Sequence, residues 1–231
     1  MTARRRGLSL ALFALLLPAC LDLSKDSPVP LFIDDFETGK PTPEFQPWSC
    51  DTDGGPGGAA GGQSVSCAIS DGGGVGNSAY ELRAHFVLED PPDGGSQPIA
   101  EVVTRTTAGK TVDLTGFTTL FFSTFLEDDP PPASPLPTGT ELQVGLCCAA
   151  IRTAPLAFPA INGALMIIGG KYPDDPFQIT LSADTNPLTK TQLQTCLRQV
   201  DSVRFTIKPQ DNSRNSKGDT GTLHLDNIEL E

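Results

Sequence analysis

The sequence predicts an all-β sandwich of about nine strands, on three observations. Apolar and polar residues alternate with period two in one short stretch after another. Turn-forming residues interrupt these stretches at hairpin-scale intervals, and a single segment has the makings of a short helix. The 231 residues include 23 Gly and 21 Pro. Long helices are hard to place among so many breakers, because Pro removes an interior N–H and Gly costs about 1 kcal/mol in a helix interior.

Taken in chain order, residues 31–36 are a first, weak strand candidate. Tyr80, Leu82, Ala84, Phe86 and Leu88 alternate with Glu81, Arg83 and His85, which predicts a half-buried strand with Tyr80 on its core side. Residues 99–106 follow as a weaker candidate. Leu120, Phe121, Phe122 and Phe125 crowd residues 118–126 densely enough for burial on both faces. Leu142, Val144, Leu146 and Cys148 alternate with polar or small neighbours, and Val203, Phe205 and Ile207 repeat the pattern. Residues 164–168 and 177–182 are weaker candidates, and 189–199 is the short helix. In the last strand Leu223 and Leu225 share a face, then Ile228 and Leu230 resume one residue out of phase. That slip predicts a bulge at Asp226 and Asn227. The Gly-rich run 51–76 and the Pro-rich run 127–137 read as long surface loops.

Charge excludes one class of partner. Sixteen basic against 28 acidic residues leave a net charge of −12, which repels phosphate backbones and argues against nucleic acid. The mean hydropathy of −0.12 is ample for a packed core.

The N-terminus carries the most specific pattern. Arg4, Arg5 and Arg6 precede an apolar run of ten residues, 8–17, which ends in Leu17-Pro18-Ala19-Cys20. Ten residues cannot span a ~30 Å hydrocarbon core, so the run reads as an export signal rather than a membrane helix. Its end resembles the lipobox of bacterial lipoprotein signal peptides, with Pro18 as the departure from the commonest pattern. The resemblance implies cleavage before Cys20 and acylation of that residue, hence a signal peptide at 1–19, a lipidated tether at 20–30 and one domain at 31–231. It also implies a bacterial cell-envelope location, in the outer membrane if the source has one. Cleavage removes three Arg and no acid, taking the net charge from −12 to −15. Such a chain is poorly suited to anionic lipid surfaces, so the acyl chains must hold it there alone.

Three further stretches carry a second resemblance. The domain opens with Phe32-Ile33-Asp34-Asp35-Phe36-Glu37 and then Trp48. Its middle holds Val112-Asp113-Leu114-Thr115-Gly116-Phe117-Thr118-Thr119-Leu120-Phe121-Phe122, and its end reads Leu223-His224-Leu225-Asp226-Asn227-Ile228. That order is similar to the jelly-roll domains of carbohydrate-binding modules and their galactose-binding-like relatives. The resemblance implies a jelly-roll β-sandwich, a structural Ca2+ held by Glu37 and Asp226 between first and last strands, and a structural role for Trp48. Backbone carbonyls would complete the six to eight oxygens calcium takes. The ion would pin a terminal strand that otherwise frays.

Candidate chemistry is sparse. Sugar binding needs exposed flat aromatics, and Tyr172, in the Gly-Gly-Lys-Tyr-Pro segment, is the one candidate ligand-binding residue. His85 and His224 have no nucleophile motif such as Gly-x-Ser-x-Gly beside them. No metal-spaced Cys/His set exists, because Cys147 and Cys148 are adjacent. Asp51-Thr52-Asp53-Gly54 starts like a calcium loop without its later ligands. Beyond Cys20, five Cys remain, an odd number for an oxidising compartment. Cys50 and Cys67 flank the Gly-rich run and are expected to pair. Cys196 is expected to pair with Cys147 or Cys148. Cys147 is favoured, because Cys148 shares an apolar face with Leu146 and is suited to burial as a free thiol. The expected function is a non-catalytic, lipid-anchored envelope protein that binds polysaccharide or a protein partner; the alternative is a hydrolase of envelope glycans.

Overall fold

The structure, a computed structural model, describes residues 30–38, 41–51, 64–71, 73–76, 78–88, 99–128, 140–148, 151–157, 161–162, 172, 174–185, 188–209 and 219–231. Cys20, the signal segment, the tether as far as residue 29 and the strand candidate at 164–168 lie outside the described residues. Twelve strands are described: β1 Leu31–Asp34, β2 Ser49–Asp51, β3 Ser64–Asp71, β4 Tyr80–Leu88, β5 Ala100–Arg105, β6 Thr119–Asp128, β7 Thr140–Cys148, β8 Ile151–Ala157, β9 Ile161–Asn162, β10 Phe177–Thr180, β11 Val200–Pro209 and β12 Asp219–Leu230. One helix, α1 Lys190–Leu197, joins them.

The strands form two antiparallel sheets. The first runs β10-β6-β12-β4-β3, with β1 also on β12; the second runs β2-β5-β11-β7-β8, with β9 also on β7. From β4 to β7 each successive strand crosses to the other sheet, and β11 to β12 crosses again. That alternation makes the sandwich a jelly roll. Inward residues of both sheets form one core: Leu82, Ala84 and Phe86 of β4, Leu120 and Phe122 of β6, and Leu223 and Leu225 of β12 face Leu142, Val144 and Leu146 of β7 and Val203, Phe205 and Ile207 of β11. Phe122 and Phe205 meet edge to face across the sheets at 5.2 Å between ring centroids. Trp48 packs on Phe205 and Phe36 at 5.9 and 6.1 Å, and its indole N–H donates to Asp34 Oδ2 at 2.9 Å. Trp48 is therefore structural.

Several expectations need correction. The Gly-rich run contains a strand: in β3, Val65 and Cys67 pack on the core, and the strand pairs along β4 from Ser64 to Asp71. β6 continues through Glu127 and Asp128 into what reads as loop. Tyr80 is exposed, at the first position of β4, where the strand's burial has not yet begun. The terminal strand β12 is central, hydrogen-bonded to β6 on one side and to β4 and then β1 on the other, so backbone ladders already pin it. The bulge is present: pairing with β6 slips between Asp226 and Glu229, and Asn227 has φ 47°.

The disulfides also differ. Cys50–Cys67 forms, but the second bridge is Cys148–Cys196, and Cys147 is the free thiol. Thr189 caps α1 through a reciprocal box with Gln192, and the helix buries Leu193, Cys196 and Leu197 in the core. The inward residue of β7, Cys148, therefore meets Cys196. Cys147 points to the other face, beside Ser202 and Arg204.

Candidate functional site

The outer face of the first sheet concentrates the charged and aromatic groups. Register sets a row across three strands: Arg83 of β4 lies opposite His224 of β12, and His224 opposite Phe125 of β6. All three point away from the core, since Leu82, Leu223 and Leu225 beside them point in. Glu81 and Glu127, each two residues along its strand, complete the group. His224 Nδ1 lies 3.1 Å from Glu81 Oε1 and its Nε2 3.0 Å from Glu127 Oε2. Phe125 stacks on the imidazole at 4.0 Å and 11°.

Glu81 is the buried hub, its side chain 1% exposed. Arg83 Nε donates to its Oε1 at 2.6 Å and Tyr172 Oη to its Oε2 at 2.6 Å. Burial alone would raise its pKa, yet the bonds from His224, Tyr172 and Arg83 outweigh it and hold the carboxyl down at about 2. Tyr172 is pushed the other way, first by its own burial and then by the Glu81 carboxylate, so it keeps its proton and donates. Its ring meets Phe125 edge-on at 4.8 Å. Tyr172 is therefore half-buried and engaged, rather than a free stacking platform. Glu127 and Arg83 are the solvent-reachable members, 51% and 40% exposed.

This arrangement can present fixed hydrogen-bonding groups to a polar ligand. General-acid chemistry fits Glu81 poorly. A glycosidase acid needs a raised carboxyl pKa, whereas Glu81 is held ionised and out of reach. The sequence showed Glu81, Arg83 and His85 as outward positions and placed His224 in the last strand. What joins them is β12 lying between β4 and β6, a pairing that no local spacing reveals.

The expected calcium ligands stand at the end of the same sheet, where the edge of β12 passes from β4 to β1. Glu37 Oε1 accepts from Ser78 Oγ, Ala79 N and Tyr80 N at 2.7, 2.7 and 3.2 Å. Those bonds, from Ser78 first, lower its pKa. Asp226 accepts from Val75 N at 2.7 Å and Asn227 N at 2.8 Å. Burial raises Asp226, and repulsion from Glu37 adds to it. Asp34 is likewise raised, by burial first and then by Asp35 and Asp226. Its Oδ1 accepts from Phe36 N at 2.7 Å and helps hold Phe36 at φ 60°. Among the described residues none of these acids forms an ion pair with Lys, Arg or His. Also among them, no three His, Cys, Asp or Glu side chains are spaced to grip a metal. Asp34 and Asp226 are buried and Glu37 is exposed, so the cluster suits a cation by charge, and a shell there would depend on backbone oxygens.

No family model and no curated protein matches the chain. Similar solved structures include a family 11 carbohydrate-binding module of a cellulosomal cellulase of Clostridium thermocellum, 13% identical over 87% of this chain and 94% of that one, at a TM-score of 0.48. A family 11 module from Clostridium thermocellum in complex with a β-1,3-1,4-mixed-linked tetrasaccharide is 13% identical over 87% and 94%, at a TM-score of 0.45. An exo-β-agarase aligns with 87% of this chain but 25% of its own, at 12% identity and a TM-score of 0.49. These are likenesses of backbone course. The jelly roll itself stands on strand order and register.

Proposed function

We propose that this chain is a non-catalytic, lipid-anchored protein of the bacterial cell envelope whose jelly roll binds polysaccharide on the outer face of the first sheet. The observation that carries the reading is the exposed pair Arg83 and Glu127, fixed in place by the buried Glu81, His224 and Phe125 between them. Saccharide hydroxyls are recognised by a few fixed donors and acceptors, and Arg83 and Glu127 supply them, with Tyr172 holding Glu81 beneath. Acylated Cys20 holds the domain at the membrane. A structural calcium ion at Glu37 and Asp226 would supply the positive charge that the buried acids beside it lack.

The test is an array of envelope and plant polysaccharides, with product release assayed on every glycan that binds. Retention without release is expected. Arg83→Ala and Glu127→Gln should each weaken it about tenfold, the worth of one charge-assisted hydrogen bond. The paired carboxylates about His224 favour a second reading, a hydrolase of the same glycans. Release of reducing ends that Glu127→Gln abolishes would establish that reading and overturn the first.

A further inference from the structure

The outer face of the second sheet carries a different surface. There β5 ends at Arg105, residues 106–111 turn back across the sheet edge, and β11 enters through Asp201, Ser202 and Arg204. Between them lies an open cavity of about 440 Å³ lined by Arg105, Thr106, Lys110, Ser202 and Arg204, with Gly109, Thr111 and Asp201 completing its wall. Three of the chain's 16 basic residues thus share one cavity on a molecule of net charge −12.

The cavity is held by local bonds. Thr106 N donates to Asp201 O at 2.8 Å, and its hydroxyl reaches Lys110 O at 2.8 Å. The turn depends on Gly109 at φ 77°, where an added Cβ would meet no heavy atom within 4 Å. Arg105 Nη1 donates to Ser49 Oγ at 3.1 Å. Arg204 Nη1 lies 3.4 and 3.2 Å from the two oxygens of Glu101, while its Nε is buried without a hydrogen-bond partner. Asp201 is the one acid in the lining, and Ser202 Oγ already occupies its Oδ1 at 2.9 Å. Lys110 and most of Arg105 remain open to an incoming acceptor. Hydroxyls of Thr106 and Ser202 stand beside them.

We propose that this cavity binds the anionic group, a carboxylate or a sulfate, of an acidic polysaccharide. Guanidinium and ammonium donors are matched to such oxyanions. The surrounding negative surface repels polyanions generally, so association with one has to be local to this cavity. The proposal takes its ligand class from the reading above but uses a separate face, and the two can fail separately.

Affinity electrophoresis of the full chain in detergent tests it, with dextran sulfate, polygalacturonate or neutral dextran in the gel. At least one polyanion should retard the protein where neutral dextran does not, with retardation falling as salt rises. Arg105→Ala and Lys110→Ala, both at exposed positions, should each weaken retardation about tenfold. Binding of any neutral glycan found on the array should stay unchanged in these variants, whereas Arg83→Ala should affect that binding alone. Equal retardation by dextran and both polyanions would overturn the proposal. So would unchanged retardation in variants that melt like wild type. Inorganic sulfate binding as tightly as dextran sulfate would reduce the cavity to a free-anion site and overturn its assignment to a polysaccharide.

Discussion

At Glu81 three donors converge on one carboxylate that water scarcely reaches, and the consequence is a pH dependence of known sign. A folded pKa near 2, against 4.5 for the free side chain, means that the folded state favours the ionised form. The stabilisation is fully present above about pH 4.5 and is lost as pH falls through about 2. At 1.36 kcal/mol per pK unit the full span is about 3 kcal/mol. Glu81→Gln should therefore cost about 3 kcal/mol at pH 7, roughly 6–12 °C in melting temperature for a domain of this size. By pH 3 the gap to wild type should have shrunk to about half. Melts across pH 3–7 that show a constant gap would mean that Glu81 is held by packing rather than by its charge. None of this was readable at the residue itself, since Glu81 looked like any outward acid on a half-buried strand. The information lay in the partners that other strands deliver.

Elements were legible in proportion to the strength of their pattern. The alternation of Leu82 to Leu88 and of Val203 to Ile207 fixes which faces turn inward, and the phase slip after Leu225 marks the bulge at Asp226. The capped segment after Thr189 gives α1. β3 was hidden because glycines surround it and its apolar positions, Val65, Cys67 and Ile69, are separated by Ser and Ala, as suits an edge strand with one half-covered face. The disulfide error has a related cause. The alternation put Cys148 inward correctly, but it could not show that the buried face of α1 brings Cys196 to the same side. Peptide mapping without reduction should recover Cys50–Cys67 and Cys148–Cys196 cross-links and Cys147 as a thiol; a Cys147–Cys196 peptide would refute the pairing. The two bridges close spans of 17 and 48 residues, and by chain entropy they contribute about 3 and 4 kcal/mol. Cys148→Ala with Cys196→Ala should thus cost more than Cys50→Ala with Cys67→Ala, by about 1 kcal/mol or more once the core cavity is counted.

Across the whole molecule, excess negative charge sets the remaining expectations. Under the proposed cleavage before Cys20 the chain would carry −15 and gain nothing from anionic lipid, and one acyl chain anchors only marginally, whereas two or three hold firmly. In a lipoprotein-processing host the protein should enter the detergent phase and incorporate palmitate; Cys20→Ala should abolish both, and unchanged partitioning would refute lipidation. The same excess of charge bears on calcium. Asp34 and Asp226 are raised by burial and by acids near them, so each contributes stability that is complete below about pH 3.8 and is lost as pH rises through its folded pKa. At neutral pH both carboxylates therefore carry a cost that a bound cation would offset. With ladders already securing β12, the effect of the proposed ion on melting would come from relieving this repulsion rather than from holding a strand in place. At calcium one hundred times its dissociation constant, linkage supplies about 2.7 kcal/mol, which is roughly 5–10 °C for a domain of this size. The shift between calcium and excess chelator should be largest near neutral pH and shrink toward pH 4, as protonation removes the charge that the ion would answer. Asp226→Ala should abolish it. Identical melts at pH 7, with no calcium found by elemental analysis, would leave Glu37 and Asp226 as acceptors for Val75, Ser78, Ala79, Tyr80 and Asn227 and nothing more.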